Sequence, residues 1–462
     1  MPLERLGGSF RDPSGFVFRR DGDLLRQINE VHRQHWDHLT SSGLYDALVG
    51  NGLMVPHQEV DLALAATSDA YKVIRPEPVP FISYPYEWSF GQLKDAARAT
   101  LQIQRTAIEH GMSLRDASAY NIQWLRGKPV LIDTLSFETL HAGEPWVAYR
   151  QFCQHFLAPL ALAAYRDVRL LQLSRVHLDG VPLDLARELL PRRSKLRASL
   201  LLHIHAHAKS QKRHAGEDPR ASAKGRTLST RGLQGIIASL DSAVRALDWQ
   251  PPKTVWTDYY AEADHYTAEA TDHKRRLVSK LVEETAPSSV WDLGGNVGAF
   301  ARIATAQGIP TVCFDIDPGC VEAAYRDAVV RDGDANLLPL VMDLTNPSPR
   351  IGWENTERDS LADRGPADLA LALALVHHLA IGNNVPLERV ADFFADLTDK
   401  LIIEFVPKSD PKAVVLLRAR DDIFPHYTAD GFEAAFSKRF NIERREPIVS
   451  SERSLYLMRR RA

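Results

Sequence analysis

The sequence predicts an α/β chain of two domains, with a doubly wound parallel sheet in the C-terminal half and an α+β domain in the N-terminal half. Three observations lead there. From residue 288 onward the apolar runs SSVWDLGG, TVCFDID, PLVMD, ADLALALALVHH and DKLIIEFV alternate with helical segments, the pattern of a parallel sheet covered on both faces. The first of these runs turns through glycines directly into a helix. Between the halves, His207–Arg231 has almost no large apolar residues, and Lys209–Arg231 has a net charge of +5, which marks a solvated linker.

A length of 462 residues exceeds the roughly 100–200 residues of one domain and accommodates this division. The boundaries read as a first domain over 1–205, a linker with one short helix over 206–255, and a second domain over 256–462. The linker helix, LQGIIASLDSAVRAL, is stopped by Pro251 and Pro252.

Lys and Arg number 56 against 59 Asp and Glu, a net charge of −3, with 45% hydrophobic and 25% charged residues. That composition excludes a disordered, collagen-like or polybasic chain, so nucleic acid is not an expected partner. The most apolar stretches, Phe156–Tyr165 and Leu369–Ile381, fall short of the ~18–20 apolar residues of a membrane span. The opening MPLERLGGSFRDP places charges where a signal peptide has its apolar core, and a cytoplasmic location is expected. Cys153, Cys313 and Cys320 form no metal or disulfide spacing. His203, His205 and His207 alternate as strand ligands would, but their surroundings are helical in composition and fan them apart, so no metal is expected.

In the C-terminal half the glycine turn reads Asp292-Leu-Gly294-Gly295-Asn296-Val-Gly298. Such a turn brings backbone N–H groups to a ligand at the carboxyl edge of the sheet. Asp315, ending the next strand 23 residues later, is placed to accept the ribose hydroxyls of an adenosine. These residues resemble class I S-adenosylmethionine-dependent methyltransferases, whose first motif is D-x-G-x-G-x-G. Asp292, Gly294 and Gly298 fit it, while Asn296 replaces the middle glycine and tolerates left-handed φ. The resemblance implies S-adenosylmethionine as cofactor, held by Asp292, the turn residues Gly294, Gly295, Asn296 and Gly298, and Asp315, with Asp343 beside the adenine. It implies a Rossmann-like sheet closed by a terminal antiparallel strand pair, here NIERREPIV and SLYLMRRRA.

His377 and His378, after the fourth strand read as Asp368–Val376, and Glu404, near the end of the fifth, are the candidate catalytic bases for a hydroxyl acceptor. Residues 346–366 read as an insertion over the mouth of the site, with Trp353 either a substrate contact or a loop residue. Trp256, Tyr259, Tyr260 and Tyr266 read either as a cover for the cofactor or as core.

In the N-terminal half, residues 111–138 place Asp116 five residues before Asn121, then two short strands, then Asp133. This resembles the catalytic loop and metal-binding segment of the protein-kinase-like fold, with a small lobe over 1–88 and a helical lobe over 89–205. By that resemblance Asp116 orients an acceptor hydroxyl, and Asn121 and Asp133 bind magnesium with ATP. Against Mg-ATP, the first hairpin carries Asp21 and Asp23 where phosphates would lie, and Lys72 comes too late in order to serve as the strand lysine. The fusion resembles bacterial enzymes that cap polysaccharides, and the chain also resembles nodulation-associated bacterial methyltransferases. Both imply a small-molecule or glycan acceptor. The first reading is a methyltransferase with a recruiting kinase-like domain; a bifunctional kinase–methyltransferase and a non-catalytic scaffold stand as alternatives. The sequence leaves the oligomeric state open.

Overall fold

A computed structural model describes residues 4–206, 228–251, 267–418 and 421–461. The chain divides into two compact units, one of residues 1–250 with Ile351–Arg358, the other of residues 251–350 and 359–462. Among the described residues no helix is long and apolar enough to cross a membrane.

The first unit opens on a five-stranded sheet in the order β1 (Glu4–Arg5), β2 (Gly15–Arg20), β3 (Asp23–Asn29), β5 (Ala70–Pro76), β4 (His57–Val60). Asp21 and Gly22 close the β2–β3 hairpin at φ 52° and 90°, the left-handed pair that matches the twist of a two-residue turn. Helices Arg33–Ser41 and Leu44–Gly50 follow β3, broken by Gly43 at φ 78°. Ser89 and Gln92 form a capping box that starts the long helix Phe90–Glu109. After it come β6 (Met112–Leu114) paired with β9 (Phe137–Thr139), and between them the hairpin β7 (Ile122–Leu125) and β8 (Lys128–Leu131). The helix Ala158–Tyr165 is apolar on all sides and buried.

The helix read as part of the linker spans Thr230–Arg245 and belongs to this unit, packed on Phe90–Glu109. Its stripe Leu233, Ile237, Leu240 and Val244 is buried, worth roughly 1.5–3 kcal/mol for each large side chain. Residues 207–227 of the linker, His207 among them, and the aromatic group Trp256, Tyr259, Tyr260 and Tyr266 lie outside the described residues. His203 and His205, as their helical setting implied, meet different partners. The His203 ring nitrogens lie 2.7 Å from the Tyr149 hydroxyl and 2.9 Å from Ser239 Oγ, while His205 Nε2 lies 2.9 Å from Ser194 Oγ.

The second unit is a seven-stranded mixed sheet ordered β12 (Leu337–Val341), β11 (Thr311–Asp315), β10 (Val290–Leu293), β13 (Ala367–Ala372), β14 (Thr398–Phe405), β16 (Ser454–Arg460), β15 (Phe440–Pro447). The first five are parallel to one another. β16 enters antiparallel between β14 and β15, so the terminal antiparallel pair is present. The order reverses at β10, leaving a crevice at the carboxyl ends of β10 and β13.

Two sequence expectations change. The fourth strand ends at Ala372 rather than Val376, because Ala374 takes φ 52° and turns the chain; His377 and His378 sit after that turn, where a helical segment begins. The inserted stretch is divided between the two units, and Trp353 is not among the residues that line the second unit's cavity. Ile351–Arg358 belongs to the first unit, where Arg358 stacks over Tyr120 at 4.5 Å and Glu357 pairs with Arg11, and Trp353 is 61% exposed.

Candidate active site

The crevice of the second unit holds a cavity of about 310 Å³, at the small end of the roughly 300–1,000 Å³ usual for ligand pockets. The turn after β10 forms one wall. Gly294, Asn296 and Gly298 take φ 77°, 55° and 79°, so Asn296 adopts the left-handed conformation that a glycine would otherwise supply. The N–H groups of Gly294 and Gly295 donate to the Phe314 carbonyl at 2.9 Å, tying the turn to β11. Gly298 does not line the cavity; a Cβ there would meet Leu337, Ala324 and Cys313 at 3.7–3.9 Å, so its role is turn geometry and close packing.

Asp315, at the end of β11, is held at both oxygens. Oδ2 accepts from Asn296 N–H at 2.8 Å and Oδ1 from Asp317 N–H at 2.8 Å, which fixes the carboxylate on the cavity wall. Burial outweighs these bonds and pushes its pKa up to about 6. Asp292 is more deeply buried, and burial pushes it up to about 7. Its Oδ2 is a buried oxygen with no hydrogen-bond partner among the described residues, on a residue that lines the cavity. An orphaned carboxylate oxygen is costly unless a ligand supplies a donor. Asp343 lines the cavity two residues beyond β12, its Oδ1 accepting from Thr345 N–H at 2.8 Å.

Of the three base candidates only His378 lines the cavity. Burial, then the charges of Arg453 and Lys412, push its pKa down to about 4, so the imidazole is neutral at pH 7. His377 is turned into the core, its ring 4.1 Å from that of His378, and burial holds it well below the usual range. Glu404, the other candidate base, is fully buried and bound on both oxygens, Oε2 to Lys274 Nζ at 2.6 Å and Oε1 to Arg453 Nη1 at 3.4 Å, and is not among the residues that line the cavity.

Sequence reasoning missed the network around Glu404. Arg453, 0% exposed, also bonds Asp410 through Nε at 2.7 Å and Nη2 at 2.9 Å. Lys274, on the helix Ala268–Thr285, is 5% exposed and lies 4.7 Å over the Phe300 ring on the cavity wall. A signal existed in Lys274, which interrupts the buried stripe Ala270, Val278, Leu281 at helical spacing.

In the first unit, Asn121 and Asp133 are brought together through Ser136, whose hydroxyl donates to Asp133 Oδ2 and accepts from Asn121 Nδ2 at 3.3 Å. Asp116 Oδ1 accepts from Ser118 N–H at 2.9 Å and Gln151 Nε2 at 2.7 Å. Asp133 is paired with Arg26, so a carboxylate that the kinase resemblance assigns to magnesium is otherwise engaged; Lys72, too late in order for the strand lysine, pairs with Glu59 at 2.7 Å. Mg-ATP does not fit these residues as they stand.

No family model matches the chain. Among solved structures it is similar to WbdD, described as a bifunctional kinase-methyltransferase, at 16% identity over 44% of this chain and 42% of that one, with a TM-score of 0.30. It is similar also to magnesium protoporphyrin IX methyltransferase of Synechocystis PCC 6803, at 19% identity over 46% of this chain and all of that one, with a TM-score of 0.31. Nodulation protein NoeA of Rhizobium meliloti is 34% identical over 99% of this chain and 96% of its own length. That likeness runs through both units, and the chain belongs to the family of NoeA.

Proposed function

We propose that the second unit is an S-adenosylmethionine-dependent methyltransferase that acts on a hydroxyl of a small-molecule or glycan acceptor in the cytoplasm. The observation that supports it most is the pairing, on one cavity wall, of a carboxylate fixed by two backbone N–H groups, Asp315, with a buried carboxylate oxygen lacking a partner, Asp292 Oδ2. Asp315 would accept the ribose hydroxyls, Asp292 would meet the cationic amino-acid end, and Asp343 would stand by the adenine. The cofactor, when bound, supplies an electrophilic methyl group. His378 lines the same cavity as a neutral imidazole, able to take the proton of an acceptor hydroxyl as it attacks. The first unit, a five-stranded sheet followed by a largely helical part, supports a kinase-like reading in which it recruits the acceptor rather than phosphorylates it.

The test uses the full chain. Asp315→Ala is expected to weaken S-adenosylmethionine by about 2 kcal/mol or more, because a charged acceptor for two hydroxyls is lost. His378→Ala is expected to leave calorimetric binding intact while labelled-methyl transfer to glycan fractions falls ~10²–10⁴-fold. Unchanged affinity in Asp315→Ala would sink the ribose assignment.

The raised carboxylates also set a pH dependence. Asp292 and Asp315 bind protons in the free protein up to about pH 7 and 6, whereas a cationic ligand with donor hydroxyls favours their ionised forms. Affinity should therefore rise with pH and level off above 7, the span from pH 5.5 to 8 being on the order of 10–100-fold at one decade per unit below each pKa. Calorimetry in two buffers of different ionisation enthalpy should detect proton release near pH 6.5. A flat profile without proton release would rule out ionisable carboxylates at the cofactor.

A further inference from the structure

Arg26 lies on β3, whose register sets it beside Val17 of β2 and Ile74 of β5 in the middle of the sheet. Its guanidinium is therefore delivered by a rigid strand rather than a loop. Nη1 pairs with Asp133 Oδ1 and lies 3.4 Å from Thr134 Oγ1, and the two charged side chains are only 11% and 14% exposed. Asp133 Oδ1 also accepts from Leu135 N–H at 3.3 Å, and Oδ2 is taken by the Ser136 hydroxyl. Arg115, whose Nε donates to the Leu135 carbonyl at 3.0 Å, is committed to Asp12, with Nη2 at 3.0 Å from Oδ2, and to Ser14 Oγ at 2.7 Å.

We propose that Arg26 is a resident replacement for the divalent cation at Asp133, so that the first unit needs no metal and offers no seat for a metal-bound nucleotide phosphate. One guanidinium neutralises one carboxylate, and a divalent ion would have to displace it or sit against it. Unlike an ion it cannot exchange, since the backbone of β3 holds it. The kinase-like reading supplies only the expectation of a metal; the ion pair stands without it, and the outcome is independent of whether the second unit transfers methyl groups.

Thermal melts and calorimetry of the full-length chain test this with magnesium chloride, manganese chloride and Mg-ATP. The unaltered chain should show no saturable shift with any of them. Arg26→Gln, which leaves Asp133 charged, should melt lower and be raised saturably by millimolar manganese. Arg26→Gln with Asp133→Asn should regain stability and ignore the metal. Saturable Mg-ATP binding by the unaltered chain that Asp133→Asn removes, or an Arg26→Gln variant indifferent to manganese, would overturn the proposal. If Arg26→Gln does not fold, the double variant decides, because it lacks the uncompensated carboxylate. Recovery of folding in the double variant supports the replacement, and failure of both refutes it.

Discussion

Arg453→Met is expected to destabilise the second unit by about 3–5 kcal/mol, the cost of leaving buried charges without their partner. Arg453 and Glu404 are both fully buried, and the arginine makes a two-point contact with Asp410 as well. Its removal takes both guanidinium bonds from Asp410, whose Oδ1 keeps the Lys412 N–H at 2.9 Å, and takes one of the cations from Glu404. The side chain follows the turn between β15 and β16, whereas Glu404 is on β14 and Lys274 on a helix far upstream in sequence. The pairing thus joins the last strand pair to the parallel sheet beside the cavity. Urea unfolding of the full chain, followed by the fluorescence of buried Trp291 in β10, should show the transition of this unit move to lower denaturant. A change under about 1 kcal/mol would mean that water or relaxation already shields these carboxylates.

The second large effect is expected from Gly295→Ala. A Cβ built there lies 2.5 Å from Cys313 Sγ and 2.6 Å from Asp292 Oδ2, and both belong to central strands that have no room to retreat. Overpacking of this kind costs about 1–3 kcal/mol, and here it displaces Asp292 Oδ2, the buried oxygen without a hydrogen-bond partner among the described residues. S-adenosylmethionine affinity should fall by on the order of 100-fold or more, as about 1.4 kcal/mol corresponds to each decade. Adding Cys313→Ala frees the space of the sulfur and should recover part of the loss. Gly235→Ala is the control, since a Cβ at Gly235 meets nothing within 4 Å and alanine suits its helix. Wild-type affinity in Gly295→Ala would show that the turn does not press on the ligand site.

The parts of this site legible in the sequence are those that local rules determine. Gly294, Asn296 and Gly298 stand out because left-handed φ restricts residue choice, and Asp315 because a carboxylate closes an apolar strand. The terminal strand pair is visible as alternation around a short polar turn. Strand length was harder to read. ADLALALALV is uniformly apolar, and nothing in composition reveals that Ala374 leaves the β region, so both histidines were placed at a strand end. The charge network was invisible for a different reason. Its members, Lys274, Glu404, Asp410 and Arg453, are dispersed in sequence and acquire meaning only when the sheet closes. Arg26 was hidden likewise, as one of several arginines in a polar hairpin until the fold sets it on Asp133.

The first unit is not contiguous in the chain, because its last piece, Ile351–Arg358, is synthesised long after Gln250. Ile351 packs on the cluster of Tyr84, Tyr86 and Tyr120, and Arg358 covers the Tyr120 ring. On the ribosome, at ~5–20 residues per second, that aromatic cluster must wait roughly 5–20 s for its cover after residue 250 emerges. Vectorial synthesis therefore cannot complete the N-terminal unit before much of the following one exists as nascent chain. A gene fragment ending at codon 250 encodes a protein with an uncapped tyrosine surface, and its poor solubility would reflect the missing eight-residue strap rather than an inability of the sheet and helices to fold.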